Sequence, residues 1–134
     1  MLDVLDLYRF AEEEQIRVDE FETGVGSLCL RRAGGCAIAL DTAARMTEAE
    51  RKADFGHELG HCETGSFYNV HSKFEVRGKM ERRANVWAIK KLVPEEALHQ
   101  AVSEGNYEVW QLAEYFDLPE DFMEMAVNYY EGIE

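Results

Sequence analysis

The sequence predicts an α+β fold in which a small antiparallel sheet precedes a helix-rich C-terminal half. Three observations predict it. Short runs with strand character and glycine-containing turns occupy residues 16–41, a helix-capping pattern opens at Thr47, and apolar residues recur at helical spacing from residue 77 onward. The chain has 134 residues, 46% apolar and 31% charged, which is the size of one ordinary domain and the composition of a globular protein. A single domain over 1–134 is therefore expected.

The elements follow in order. Leu2, Leu5, Leu7, Phe10 and Ala11 recur at roughly helical spacing and predict a helix over 2–15. Strands are expected over 16–21, 27–32 and 36–41. In the third, Cys36, Ile38 and Leu40 alternate with Ala37 and Ala39 after a Gly34-Gly35 turn. Thr47-x-x-Glu50 is a capping box, so a helix begins there and runs to about Cys62 with Phe55, Leu59 and Cys62 facing inward. A loop with Gly65, Ser66, Asn69 and Ser72 leads to a helix over 77–93, with Met80, Ala84, Trp87, Ala88 and Leu92 on one side. Pro94 ends that helix and opens another, because proline suits a first helical turn and Glu95 and Glu96 suit its dipole. Val109, Leu112, Ala113 and Phe116 mark a short amphipathic helix, and Phe122, Ala126 and Tyr129 mark a last one.

Composition narrows the function. The first residues carry Asp3 and Asp6 where a signal peptide needs basic residues, and no apolar run approaches the roughly 20 residues of a membrane span. A cytoplasmic protein is expected. Cys29, Cys36 and Cys62 are odd in number and form no Cys-x-x-Cys pair, which predicts reduced, mostly buried thiols. The net charge of −13 is unevenly spread. Residues 1–93 hold 16 acids and 14 bases, whereas residues 94–134 hold 11 acids and no lysine or arginine. Such a surface repels a phosphate backbone and favours a basic partner, unless it serves only to keep the protein soluble.

The chemistry concentrates at His57-Glu58-Leu59-Gly60-His61. Four residues apart on a helix, His57 and His61 share a face one turn apart, and two imidazoles so placed suit a tetrahedral zinc ion. Glu58 lies about 100° further round, where it can act as general base on a water without occupying the metal. Gly60 allows a second backbone to approach closely. Zinc needs a third protein ligand and keeps its fourth position for water. Glu81 leads the candidates because it starts Glu81-Arg82-Arg83-Ala84-Asn85 on the next helix. There small Ala84 permits close packing, and Asn85 can accept the outer N–H of a ligand histidine. His71, His99, Glu63 and Glu75 are the alternatives.

His57 to Cys62, then Phe67-Tyr68, then the run from Glu81 to Pro94 resemble the ImmA/IrrE family of bacterial and phage metallopeptidases. The strand at residues 37–41 and the segment at 108–116 fit the same pattern. The resemblance covers most of the chain. It implies a compact gluzincin-like fold holding one zinc ion, with His57, His61 and Glu81 as ligands and Glu58 as base. It also implies an endopeptidase acting on a helix-turn-helix repressor of a phage or mobile element. Asn85 departs from the aspartate common in gluzincins and adds no charge. Tyr68 and His71, in the loop between the ligand helices, are the candidate donors to an oxyanion.

Two rivals stand beside this reading. One keeps the zinc and drops the catalysis, leaving a binding protein that sequesters a repressor. The other is a DNA reader, because residues 112–121 scan like a helix-turn-helix. Its second helix would offer Glu120, Asp121 and Glu124 to phosphates with no base nearby, so direct nucleic-acid binding is rejected. The stripe of Arg77, Lys79, Arg82, Arg83, Lys90 and Lys91 reads as a solvated helix face.

Overall fold

The computed structural model describes residues 1–43 and 46–132, and in them six helices and a three-stranded sheet. Helix α1 (Val4–Glu13) starts later than apolar spacing alone predicts because Asp3 caps it. The Asp3 carboxylate accepts the Asp6 N–H and the Asp6 carboxylate accepts the Asp3 N–H, each at 2.9 Å.

Strands β1 (Arg17–Phe21), β2 (Leu28–Arg32) and β3 (Gly35–Asp41) form one sheet in the order β1-β3-β2. The expected antiparallel sheet is corrected to a mixed one. β2 runs antiparallel to β3, with Cys29 opposite Ile38, but β1 runs parallel to β3, with Val18 opposite Ile38. The cause lies in β3, whose residues 37–40 are buried throughout and so belong in the middle of a sheet. The tight turn at Gly34, at φ 86°, seats β2 on one edge of β3 and leaves only the other edge to β1.

Helix α2 (Glu48–Thr64) opens on the capping box read from the sequence, with the reciprocal Thr47 and Glu50 bonds both at 3.1 Å. Phe55 and Leu59 are fully buried along it. Lys52 is buried too, and its ammonium donates to the carbonyl oxygens of Leu2 at 2.9 Å and Phe116 at 2.5 Å. One side chain thereby ties α2 to the N-terminal segment and to Phe116 in the C-terminal half, and burial pulls its pKa down.

Helix α3 (Phe74–Leu92) packs along α2 at a separation set by glycine. A Cβ on Gly60 would stand 2.3 Å from the backbone oxygen of Ala84, so no side chain fits there. The remaining helices are α4 (Glu95–Ser103), α5 (Val109–Phe116) and α6 (Glu120–Glu131). Leu98, Leu112, Phe116 and Met123 from these join Leu7, Ile38, Phe55 and Ile89 in one buried cluster. Among the described residues no helix is long and apolar enough to cross a membrane.

The expectation of three reduced thiols is corrected. A disulfide joins Cys36 to Cys62, with their Cα atoms 5.7 Å apart, and Cys29 alone is free. The partners stand at the start of β3 and in the last turn of α2, 26 residues apart, so no local spacing announces the pair.

Candidate metal centre

α2 and α3 together place His57, His61 and Glu81 with one donor atom each inside 4.8 Å of one another. The Nε2 atoms of the two histidines are 3.2 Å apart, and the Glu81 carboxylate lies 2.8 Å from His57 Nε2 and 3.0 Å from His61 Nε2. The opposite ring nitrogens fix the tautomers. His57 Nδ1 donates to Asn85 Oδ1 at 2.8 Å, and His61 Nδ1 donates to the Ser66 carbonyl at 2.6 Å. Both acceptors lack a proton of their own to give, so each neutral imidazole turns an Nε2 lone pair toward the other and toward the carboxylate.

Three lone-pair-bearing atoms facing one another repel unless a cation sits among them. Tetrahedral zinc with bonds of about 2.0–2.1 Å would space its ligands by about 3.3 Å, close to the spacing here. The donor set therefore fits a metal ion, and this group can hold one. His71, His99, Glu63 and Glu75 are not part of it.

Glu58 sits one residue from His57 on α2 and is buried. With His61, Tyr68, Glu81 and Cys29 it lines a cavity of about 200 Å³ between α2, β2 and the α2–α3 loop. Burial, then the neighbouring Asp54 and Glu81 carboxylates, push its pKa up to about 8. A divalent cation beside it would act in the opposite direction. Burial, followed by Glu58, likewise pushes the Cys29 thiol up to about 12, which makes it a poor nucleophile. At Glu81 burial raises the pKa, but the hydrogen bond from the Tyr68 hydroxyl and the charge that the two imidazoles carry when protonated outweigh it and hold the carboxyl below its usual value.

The Tyr68 hydroxyl donates to Glu81 Oε1 at 2.7 Å, and that bond, more than burial, pushes its own pKa up to about 12. His71 is exposed, away from the cavity. Sequence reasoning missed Ser66. It acts through a backbone carbonyl, which any residue carries, so its identity gives no signal.

Residues 38–128 match the family model of the IrrE N-terminal-like domain, a peptidase family designated M78. The chain belongs to that family. No curated protein and no solved structure gives a significant match. The family match begins inside β3 and includes both helices of the metal group. It leaves out β2, and with it Cys29 and the cavity's strand wall.

Proposed function

We propose that this IrrE-type domain is a zinc-dependent endopeptidase that cleaves a helix-turn-helix repressor of a phage or mobile element in the cytoplasm. The observation that carries the reading is the convergence of two imidazole lone pairs and a carboxylate with a buried Glu58 beside them. His57, His61 and Glu81 would hold the ion, and Asn85 and Ser66 keep the two rings turned toward it. Zinc in this position would supply Lewis acidity, both to a water and to the scissile carbonyl. Glu58 takes the proton from the attacking water and passes it to the leaving amine. The Tyr68 hydroxyl, half-exposed on the same cavity, is placed to donate to a developing oxyanion once it leaves Glu81. β2 is an edge strand on this cavity and can pair with an extended substrate segment.

The small volume of the cavity, about 200 Å³, favours a second reading. In it the domain is a catalytically silent, zinc-stabilised anti-repressor that only sequesters its partner. One experiment separates the two. Zinc-loaded protein is incubated with the helix-turn-helix repressors of its own genome, and products are read by mass spectrometry. Wild type should cut one of them, and Glu58→Gln should keep the zinc yet lose about 10²–10⁴-fold in rate. Equal cleavage by both would remove Glu58 as base, whereas tight binding without cleavage by wild type would select the anti-repressor.

A further inference from the structure

A second cavity, about 580 Å³, opens on the other side of Glu81, between α3 and α6. Glu81 lines both cavities, and Asn85, which holds His57, lines this one as well. Whatever occupies it therefore lies within side-chain reach of the metal centre. Its walls are apolar, from Val86 and Ile89 on α3 and Met125 and Tyr129 on α6. Its polar lining is lopsided. With Glu81 given to the metal group, Asp121 and Glu124, both exposed on α6, set two carboxylates against the single cation Arg82 among the described residues. Its α6 wall belongs to the segment with 11 acids and no lysine or arginine, whereas its α3 wall belongs to the helix that carries Arg77, Lys79, Arg82 and Arg83.

An apolar trough with an acidic mouth matches one kind of side chain. A long aliphatic stem can lie on the walls while its cationic head reaches the carboxylates. A short polar side chain would leave the walls wet, and an acidic one would be repelled. We propose that the α3–α6 groove is the specificity subsite of this domain, taking an arginine or lysine of the protein substrate. Asp121 and Glu124 are its specificity-determining residues. This inference rests on the endopeptidase reading for its meaning, but its test reads binding as well as turnover.

The probes are short fluorescein-labelled peptides that differ at one position: arginine, lysine, norleucine or glutamate. Binding to zinc-loaded Glu58→Gln protein is followed by anisotropy at low salt. The arginine and lysine peptides should bind about 10-fold more tightly than norleucine, and glutamate should be weakest. In the added double substitution Asp121→Asn and Glu124→Gln, the cationic preference should fall to within about 2-fold, with zinc content unchanged. A Met125→Trp substitution, which fills the groove, should weaken the arginine and norleucine peptides alike. Equal or undetectable binding of all four peptides overturns the proposal. So does a cationic preference that survives neutralisation of Asp121 and Glu124. Arginine peptides that bind selectively but are never cut by the Glu58 protein would sink the endopeptidase reading and leave this subsite standing.

Discussion

Where α2 and α3 run together, backbone meets backbone. Gly60 faces the Ala84 carbonyl with no room for a methyl group, Asn85 and the Ser66 carbonyl brace the two imidazoles, and a disulfide fastens the end of α2 to β3. The C-terminal helices are held differently. Leu98, Leu112, Phe116, Phe122 and Met123 anchor them chiefly by burial, with single ties from the Lys52 ammonium to the Phe116 carbonyl and from the Tyr130 hydroxyl to the Val93 carbonyl, while their outer faces carry acids such as Glu104, Glu114 and Glu120. The difference fits what we propose each region does. A metal site loses affinity when a ligand moves by fractions of an ångström, so its supports are close contacts and directional bonds. A surface that meets a partner through charge tolerates changes that leave its sign intact. Substitutions in the first region should therefore cost stability and metal, and those in the second should cost encounter rate.

The largest effect on stability is expected from the covalent fastening. Opening the Cys36–Cys62 bond by Cys36→Ser should lower the stability of oxidised protein by about 3–4 kcal/mol, the chain-entropy value for a loop of this length. Denaturant titration with and without a reductant checks this. Zinc content should not change, because the three ligands and their braces do not involve either sulfur. Identical unfolding curves for oxidised wild type and Cys36→Ser would mean that the bond adds nothing to the α2–β3 junction.

Gly60→Ala comes next. The new methyl meets backbone at 2.3 Å, and backbone cannot rotate away, so α3 must shift. Overpacking of this kind costs about 1–3 kcal/mol, and the shift should also carry Glu81 away from the histidines and lower zinc occupancy. Gly56→Ala is the internal comparison. There the methyl would stand 2.8 Å from Cδ1 of Leu92, the end of a flexible side chain that can turn aside. Both variants should be followed by thermal melts and by metal analysis after dialysis. Full zinc in Gly60→Ala would show that the helix spacing is not what positions Glu81.

These contacts also show which parts of the molecule were legible in the sequence. His57 and His61 sit on α2 because a capping box and an apolar stripe define that helix before any chemistry is considered. Gly60 and Ala84 were readable as a close approach because a missing or minimal side chain is itself a signal. Residues acting through backbone atoms or distant partners left no such trace. The Ser66 carbonyl, the Cys36–Cys62 pair and the Lys52 ammonium bound to two carbonyls all depend on segments brought together only by folding. The parallel pairing of β1 was hidden for a related reason, since strand order depends on which strand is covered on both faces.

Asn85 tests the directional side of the comparison. Removing its amide oxygen in Asn85→Ala frees the His57 ring to turn, and zinc affinity should fall by about 10–100-fold in competition with a chelator. Asn85→Asp restores the acceptor and adds a charge that makes the imidazole a stronger donor to the metal, so its affinity should equal or exceed that of wild type. An alanine variant as tight as wild type would mean that packing alone fixes the His57 ring.

The smallest effect belongs to the outer acidic face, where the prediction concerns rate. Glu104, Glu114 and Glu120 are exposed and are not among the residues of the metal group or of the α3–α6 groove. Changing all three to glutamine should leave zinc content intact. If the acidic surface steers a basic repressor, the triple variant should associate several-fold more slowly at low salt, with dissociation little altered. The gap should close as salt rises, because the screening length falls from about 10 Å at 0.1 M to about 3 Å at 1 M. Stopped-flow association across that range separates steering from solubility. A surface that only keeps the protein in solution gives equal rates at every salt concentration. A deficit that persists at 1 M would instead place one of these carboxylates in direct contact with the partner.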